Sequence, residues 1–488
     1  MLNENSARGG SASGGKFYIT TTLAYVNAAP HIGFAMESVQ ADVVARFQRQ
    51  KGAEVTFNTG VDEHGAKVYQ KAQEAGMSVQ AYCDAKMATF LHMKTMLNLD
   101  YDKFIRTTDV YHEAAVQVFW KKCADNGDIY KKNYKIKYCV GCELEKTESD
   151  LVEGKCPLHP NMEIETIEEE NYFFRFSRYQ EQLLELYRQN PQLVVPEKRM
   201  NEVRSFVERG LQDFSISRLK SKMPWGVAIP GDAQQVTYVW FDALVNYIST
   251  LGWPDAESDF TAFWPGIQIC GKDNLRQQAA MWQAMLFSAG LANSKQIFIN
   301  GFVNVGGQKM SKSLGNVVSP NDLVEKFGVD AARYLLLTLG DSFGEDMDFT
   351  WERIIEKYNA DLANGLGNLV SRITKLSEQS GPFVPQEMTV KEEFSNLVDK
   401  MELSKTLKYI WNLVSEANKI IDENKPWELV KTDKNKFEEV MGDLTARLQE
   451  IAENLRAFMP ETAKNILTSL ETKKTDILFA RIQLPAKK

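Results

Sequence analysis

The chain has 488 residues, 44% hydrophobic and 25% charged, with a formal charge of −8 at neutral pH. That length predicts two to four domains, each able to bury its own core, in a globular protein of ordinary composition. The acidic balance excludes a globally basic nucleic-acid binder and leaves a polyanionic partner a local basic surface. No apolar run approaches the roughly 18–20 residues that span a bilayer, so no membrane association is expected.

Residues 1–15, Ser- and Gly-rich with no apolar stretch, are predicted to be a disordered tail rather than a signal peptide. Phe17–Leu23 reads as a strand, and Met36, Val39, Val43, Ala45 and Phe47 then recur at helical spacing until Gly52. Glu54–Thr59 is a second strand, followed by a helix through Val68 to Ala75. This strand–helix–strand unit turns at Pro30-His31 and predicts an α/β fold, a Rossmann-like doubly wound parallel sheet whose first half is 16–115. No G-x-G-x-x-G is present, which disfavours a dehydrogenase-type dinucleotide site.

Residues 116–225 break the alternation and are predicted to be an insertion that splits the sheet. Strands at Val236–Phe241, Ile267–Cys270 and Gln296–Asn300, with a helix near Leu275–Ala289, complete it over 226–305. A glycine-flanked loop follows in a linking region, 306–360. Beyond Trp351 the pattern is helical, interrupted at Gly381-Pro382 and Lys425-Pro426, and 361–488 is predicted to be an all-α helical bundle with nearly balanced charge.

Three constellations carry chemistry. His31 stands two residues before Gly33, where the first helix opens; a helix N-terminus offers N–H groups and partial positive charge to phosphate oxygens. A histidine that merely caps the helix is the alternative reading. Lys309-Met310-Ser311-Lys312-Ser313 lies between Gly306-Gly307 and Gly315, so two ammonium groups on a flexible loop can follow a migrating negative charge. Together the two segments point to ATP-dependent adenylation. Third, Cys139-x2-Cys142-x13-Cys156-x2-His159 has the spacing of a zinc knuckle, three thiolates and an imidazole filling a tetrahedral shell around one structural Zn²⁺. Cys83, Cys123 and Cys270 are scattered, as expected of small buried residues in a reducing cytoplasm.

In this order the first two segments resemble the signature motifs of class I aminoacyl-tRNA synthetases. The surrounding sequence, Tyr25-Val-Asn27, Asp62-Glu-His-Gly65, Val239-Trp-Phe-Asp-Ala243, Gly271-Lys-Asp273 and Lys425-Pro-Trp427, is similar to methionyl-tRNA synthetases over nearly the whole chain. The resemblance implies a methionine-tRNA ligase: Mg²⁺-ATP and L-methionine give methionyl-adenylate, and the methionyl group passes to the 3′-terminal ribose of tRNA(Met). It implies His31, Lys309 and Lys312 as catalytic residues, and Gly33, Gly271 and Asp273 with the two lysines around ATP. Asp62 would hold the substrate ammonium, with Leu23, Tyr25, Trp240, Tyr247 and Trp282 around the methionine side chain; capping for Asp62 and Asp273, and core packing for the aromatics, are the alternatives. Asn368 and Arg372, one turn apart on a helix face, and Trp427 would read the anticodon by edge contacts and stacking.

Departures from the family pattern are specific. Phe34 stands where a second histidine is usual, removing one imidazole from the phosphate site and shifting weight onto Lys309 and Lys312. Gln277 and Gln278 stand where many relatives carry Phe-His. These keep two alternatives open, a class I synthetase of another amino-acid specificity and a non-catalytic tRNA-binding paralogue. The 116–225 insertion, about 110 residues, is too short to add a large editing domain. The chain lacks the C-terminal β-barrel by which some relatives dimerise, so a monomer is expected.

Overall fold

A computed structural model describes residues 14–27, 29–146, 148–310, 315–340 and 343–483. The predicted tail lies outside these residues except for Gly14 and Gly15.

Strand β1 (Lys16–Thr20) sends Tyr18 and Ile19 to opposite faces, as strand periodicity requires. After a break at 21–23, short β2 (Ala24–Tyr25) continues its line. Helix α1 (Ile32–Gln50) then crosses to β3 (Glu54–Asp62), which pairs in parallel with β1, β2 and β4 (Lys103–Arg106). On the far side of β1 come Ile267–Gly271, Gln296–Asn300 and Val194–Val195, again parallel, making a sheet of seven strands. Parallel sheets are stable when both faces are covered. Ile19, Phe57, Ile269 and Phe298 pack against Val39, Val43 and Phe47 of α1, and Tyr18, Cys270, Ile297 and Ile299 face a second cluster with Phe119, Phe241 and Trp282.

The order of elements agrees with the sequence reading, and two details differ. The expected strand Val236–Phe241 is not part of the parallel sheet. Asp232–Thr237 instead joins an antiparallel sheet with Ser217–Leu219 and Ala228–Ile229, and Val239–Ala243 is helical. A short apolar run carries no periodicity that separates strand from helix. The stretch 116–225 is also not wholly apart from the sheet, because its Val194–Val195 supplies an edge strand too short to leave a sequence signal. The rest includes a four-stranded antiparallel sheet of Leu144–Lys146, Ile129–Cys139, Glu165–Phe174 and Phe214–Ser215.

The C-terminal helices, among them Asn368–Ser377, Leu403–Asn424, Lys434–Leu455 and Pro460–Thr472, bury amphipathic faces in a core continuous with the α1 side of the sheet. Arg333, fully buried on helix Val329–Leu337, ties the two together. It pairs with buried Asp42 of α1 at 2.7 Å and donates to the carbonyls of Leu97, Ala457 and Phe458 at 3.0, 3.0 and 2.9 Å. Among the described residues no helix is long and apolar enough to cross a membrane.

Candidate active site

A cavity of about 530 Å³ opens where β1 runs into Thr22–Tyr25, β3 ends at Asp62, and the next strands end at Gly271 and Asn300. The carboxyl ends of parallel strands are where such sheets take ligands.

One rim is the start of α1. His31 is its N-cap, and Nδ1 accepts the backbone N–H groups of Gly33 and Phe34 at 3.1 and 3.4 Å. The capping reading of His31 is therefore correct for this nitrogen, and these two N–H groups already have a partner. Accepting at Nδ1 leaves the proton of the neutral ring on Nε2 as a donor. Gly33 leaves room for the ring, since an added Cβ would sit 3.0 Å from the imidazole and press on it. Phe34 lines the cavity and meets Phe90 edge-on at 5.7 Å, so it seals apolar packing where a second imidazole was expected.

The flanks of the lysine loop reach the same cavity. Met310 and Val317 line it, and the Ile32 N–H donates to the Val318 carbonyl at 3.2 Å. Gln308–Lys309 pairs back on Val303–Val305 over Gly306 and Gly307, whose φ of +59° and +76° favour glycine. Lys309 is described by its backbone alone, and Lys312 lies outside the described residues.

At the opposite end Leu23, Tyr25, Asp62, Trp240 and Tyr247 line the wall. Trp282 does not; it is fully buried behind Tyr247, ring centroids 6.0 Å apart, and stacks on Phe119. Gln277 and Gln278 are on the wall, placed there by a wider i→i+5 helical stretch, Gln277–Met281, and Gln278 Nε2 bonds the Tyr247 hydroxyl. Asp62 is buried, and burial, then the charges of Asp242 and Glu143, push its carboxyl well above the ordinary range. The Tyr25 hydroxyl lies 2.7 Å from Glu143 and 2.9 Å from the His64 carbonyl. Concentrated, poorly solvated negative potential of this kind suits a cation.

Asp273 is exposed and lines the cavity, and Gly271 lets it fold back, an added Cβ there lying 2.6 Å from Asp273 Oδ1. Two wall residues were missed in the sequence. Glu37 accepts the Thr22 N–H at 2.6 Å, and burial raises its carboxyl to about 8; its signal was an acid inside the apolar stripe of α1. Glu143 accepts from the Lys67 N–H at 2.7 Å, and its signal was adjacency to Cys142.

The predicted ligand cluster is assembled. The Sγ atoms of Cys139, Cys142 and Cys156 and a ring nitrogen of His159 lie within 4.8 Å of one another. Cys142 Sγ is 3.5 Å from Cys156 Sγ and 3.3 Å from His159 Nδ1, close to the roughly 3.7 Å edge of a tetrahedron with 2.3 Å metal–sulfur bonds. Gly141 allows this closure, an added Cβ lying 2.5 Å from the His159 ring. The donor set fits one metal ion, and Cys142, Leu158 and His159 also line the main cavity.

Far from the cavity, Asn368 is exposed one turn from Arg372, whose guanidinium lies 6.0 Å from the ring of half-exposed Trp427. Arg372 also pairs with Asp422 at 2.6 Å.

Residues 17–163 and 160–374 match the family model described as tRNA synthetases class I (M). The chain is 43% identical over 434 residues to a methionine--tRNA ligase of Thermosynechococcus vestitus, covering 84% of this chain and 82% of that protein. It is 41% identical over 488 residues to one of Rickettsia bellii, covering 96% and 95%. Its fold superposes on Mycobacterium tuberculosis methionyl-tRNA synthetase bound by methionyl-adenylate with a TM-score of 0.87, at 38% identity and 93% coverage of each chain. With His31, Asp62, Trp240 and Gly271 at one cavity and its matches spanning most of its length, the chain belongs to the methionyl-tRNA synthetases of class I.

Proposed function

We propose that this chain joins L-methionine to tRNA(Met) in two steps. The observation that carries the reading is one cavity lined both by a buried carboxylate, Asp62, and by exposed His31 with the lysine-loop flanks Met310 and Val317. Asp62 binds the methionine ammonium beside Tyr25. Leu23, Trp240 and Tyr247 enclose the side chain, and Trp282 supports Tyr247 from behind. Asp273 holds the ATP ribose, with Gly33 and Gly271 allowing close approach of the nucleotide, which arrives with Mg²⁺.

A methionine carboxylate oxygen attacks the α-phosphorus; the new O–P bond forms as the bond to the β-phosphate oxygen breaks and pyrophosphate leaves. The nucleophile is already an anion, so no general base is needed, and catalysis is positioning with charge stabilisation by His31 Nε2–H, Lys309 and Lys312. The 2′-hydroxyl of the tRNA terminus then attacks the methionyl carbonyl and AMP leaves. Cys139, Cys142, Cys156 and His159 hold one structural Zn²⁺. In this reading 16–115 and 226–305 form the catalytic halves, 116–225 carries the knuckle and 306–360 the loop. Residues 361–488 read the anticodon through Asn368, Arg372 and Trp427. A monomer acting in the cytoplasm, where tRNA is charged, completes the reading.

One observation favours a second reading, a different amino-acid substrate. Gln277 Oε1 and Gln278 Oε1 are buried with no protein hydrogen-bond partner among the described residues, and a thioether has no hydrogen to give them. ATP–pyrophosphate exchange with methionine, norleucine, leucine and glutamine decides between the two. Exchange is expected to be greatest with methionine; a larger kcat/KM for glutamine overturns the assignment. Trp427→Ala is expected to lower tRNA aminoacylation at least tenfold while sparing exchange, and equal losses would make Trp427 a folding residue.

A further inference from the structure

Two residues beyond Asp62 begins a buried polar chain that the reaction above does not use. His64 Nδ1 lies 2.6 Å from Asp242 Oδ2, Asp242 Oδ1 lies 2.9 Å from His112 Nε2, and His112 Nδ1 lies 2.8 Å from Ser249 Oγ. All four residues are buried. Burial favours the neutral acid, yet the two imidazoles hold Asp242 below the usual carboxylate range. An ionised carboxylate only accepts, so His64 Nδ1 and His112 Nε2 both donate to it, and His112 Nδ1 is hydrogen-bonded to the Ser249 hydroxyl.

The groups facing His64 come from every side. They are Asp242, Glu113 at 3.8 Å from Nε2, Glu63 (itself paired with Arg106 at 3.0 Å), and the Trp225 ring at 5.6 Å. Its imidazole therefore has one orientation. Its main chain meets one cavity residue and adjoins another: the His64 carbonyl accepts from the Tyr25 hydroxyl at 2.9 Å, and Asp62 stands two residues before it in the chain. Residues 63–65 lie between the end of β3 and the helix Ala66–Glu74, where no strand ladder holds the backbone.

We propose that His64 is a positioning residue for the ammonium end of the amino-acid site. Its side chain, clamped through Asp242 and His112 to Ser249, fixes the backbone that follows Asp62 and the carbonyl that orients the Tyr25 hydroxyl. The inference rests on Asp62 binding the substrate ammonium.

Two methionine fragments separate the possibilities: methioninol, which keeps the ammonium, and 4-(methylthio)butanoate, which lacks it. Their binding is measured by calorimetry on the full chain. His64→Leu keeps volume and removes the clamp; His64→Asn keeps an N–H near the place of Nδ1. His64→Leu is expected to bind methioninol about tenfold more weakly, to bind the butanoate as before, and to raise KM for methionine but not for ATP. His64→Asn is expected to restore most of the loss. Equal weakening of both fragments, unchanged methioninol binding, or a larger loss in His64→Asn than in His64→Leu overturns the proposal. If His64→Leu does not fold, Ser249→Ala carries the test: a methioninol-selective loss of about threefold is expected, and no selectivity overturns it. Asp62→Asn separates the two ideas. Methioninol affinity that survives Asp62→Asn refutes the ammonium reading itself, whereas affinity lost there and intact in His64→Leu refutes the clamp alone.

Discussion

Glu37 holds a carboxyl where the helix pattern asks for an apolar group, and its titration has a definite direction. In the folded chain burial raises it to about 8 from an ordinary 4.5. Well below 4.5 both states are neutral. As pH climbs, the unfolded chain ionises first, so folding stability falls until about 8 and is flat beyond. Glu37→Gln keeps the acceptor for the Thr22 N–H and cannot ionise. Its melting temperature is expected to exceed that of the parent by a margin that widens from pH 5 to pH 8, read from thermal melts. A carboxyl kept at such a cost at the cavity wall is a mark of function. Phe34 shows the reverse: its position in the motif was legible, but its partner Phe90 lies on a helix more than fifty residues away. The capping role of His31 was weighed from spacing alone, because an N-cap meets N–H groups two and three residues on.

Elements with local signals were read well. The four knuckle ligands sit in two short pairs, so their spacing announced a metal shell before any geometry was known. What spacing did not announce is that the knuckle forms part of the main cavity, through Cys142, Glu143, Leu158 and His159. Glu143 meets the Tyr25 hydroxyl at 2.7 Å. Stripping the metal with a chelator is therefore expected to raise KM for methionine several-fold in pyrophosphate exchange, with recovery when Zn²⁺ alone is returned. The helix at Val239–Ala243 and the two-residue strand Val194–Val195 were misread for opposite reasons. The first was a short, mostly apolar run with only Asp242 to mark a face, and the second was too short to carry a period.

At the scale of the whole molecule one core runs from the sheet into the C-terminal helices, and the Arg333–Asp42 pair sits at the join. Removing Arg333 leaves Asp42 with Arg46 at 2.7 Å, but it takes away one of the two guanidinium partners of a fully buried carboxylate and the donor to three carbonyls. Arg333→Met is expected to destabilise the protein by about 3–5 kcal/mol in denaturant unfolding, with catalytic and helical regions still lost in a single transition. Two transitions would show that the join is not cooperative.

The order of strands and helices, the zinc-knuckle spacing and the two signature segments were determined by sequence alone, because each depends on residues a few positions apart. Tertiary structure alone decided that Trp282 stands behind Tyr247, that Glu37 is held near-neutral, and that His64 reaches Ser249 through Asp242 and His112. It alone decided that the knuckle lines the main cavity. Those facts depend on burial and on partners up to about 190 residues distant, and solvent exclusion belongs to the assembled fold rather than to any stretch of chain.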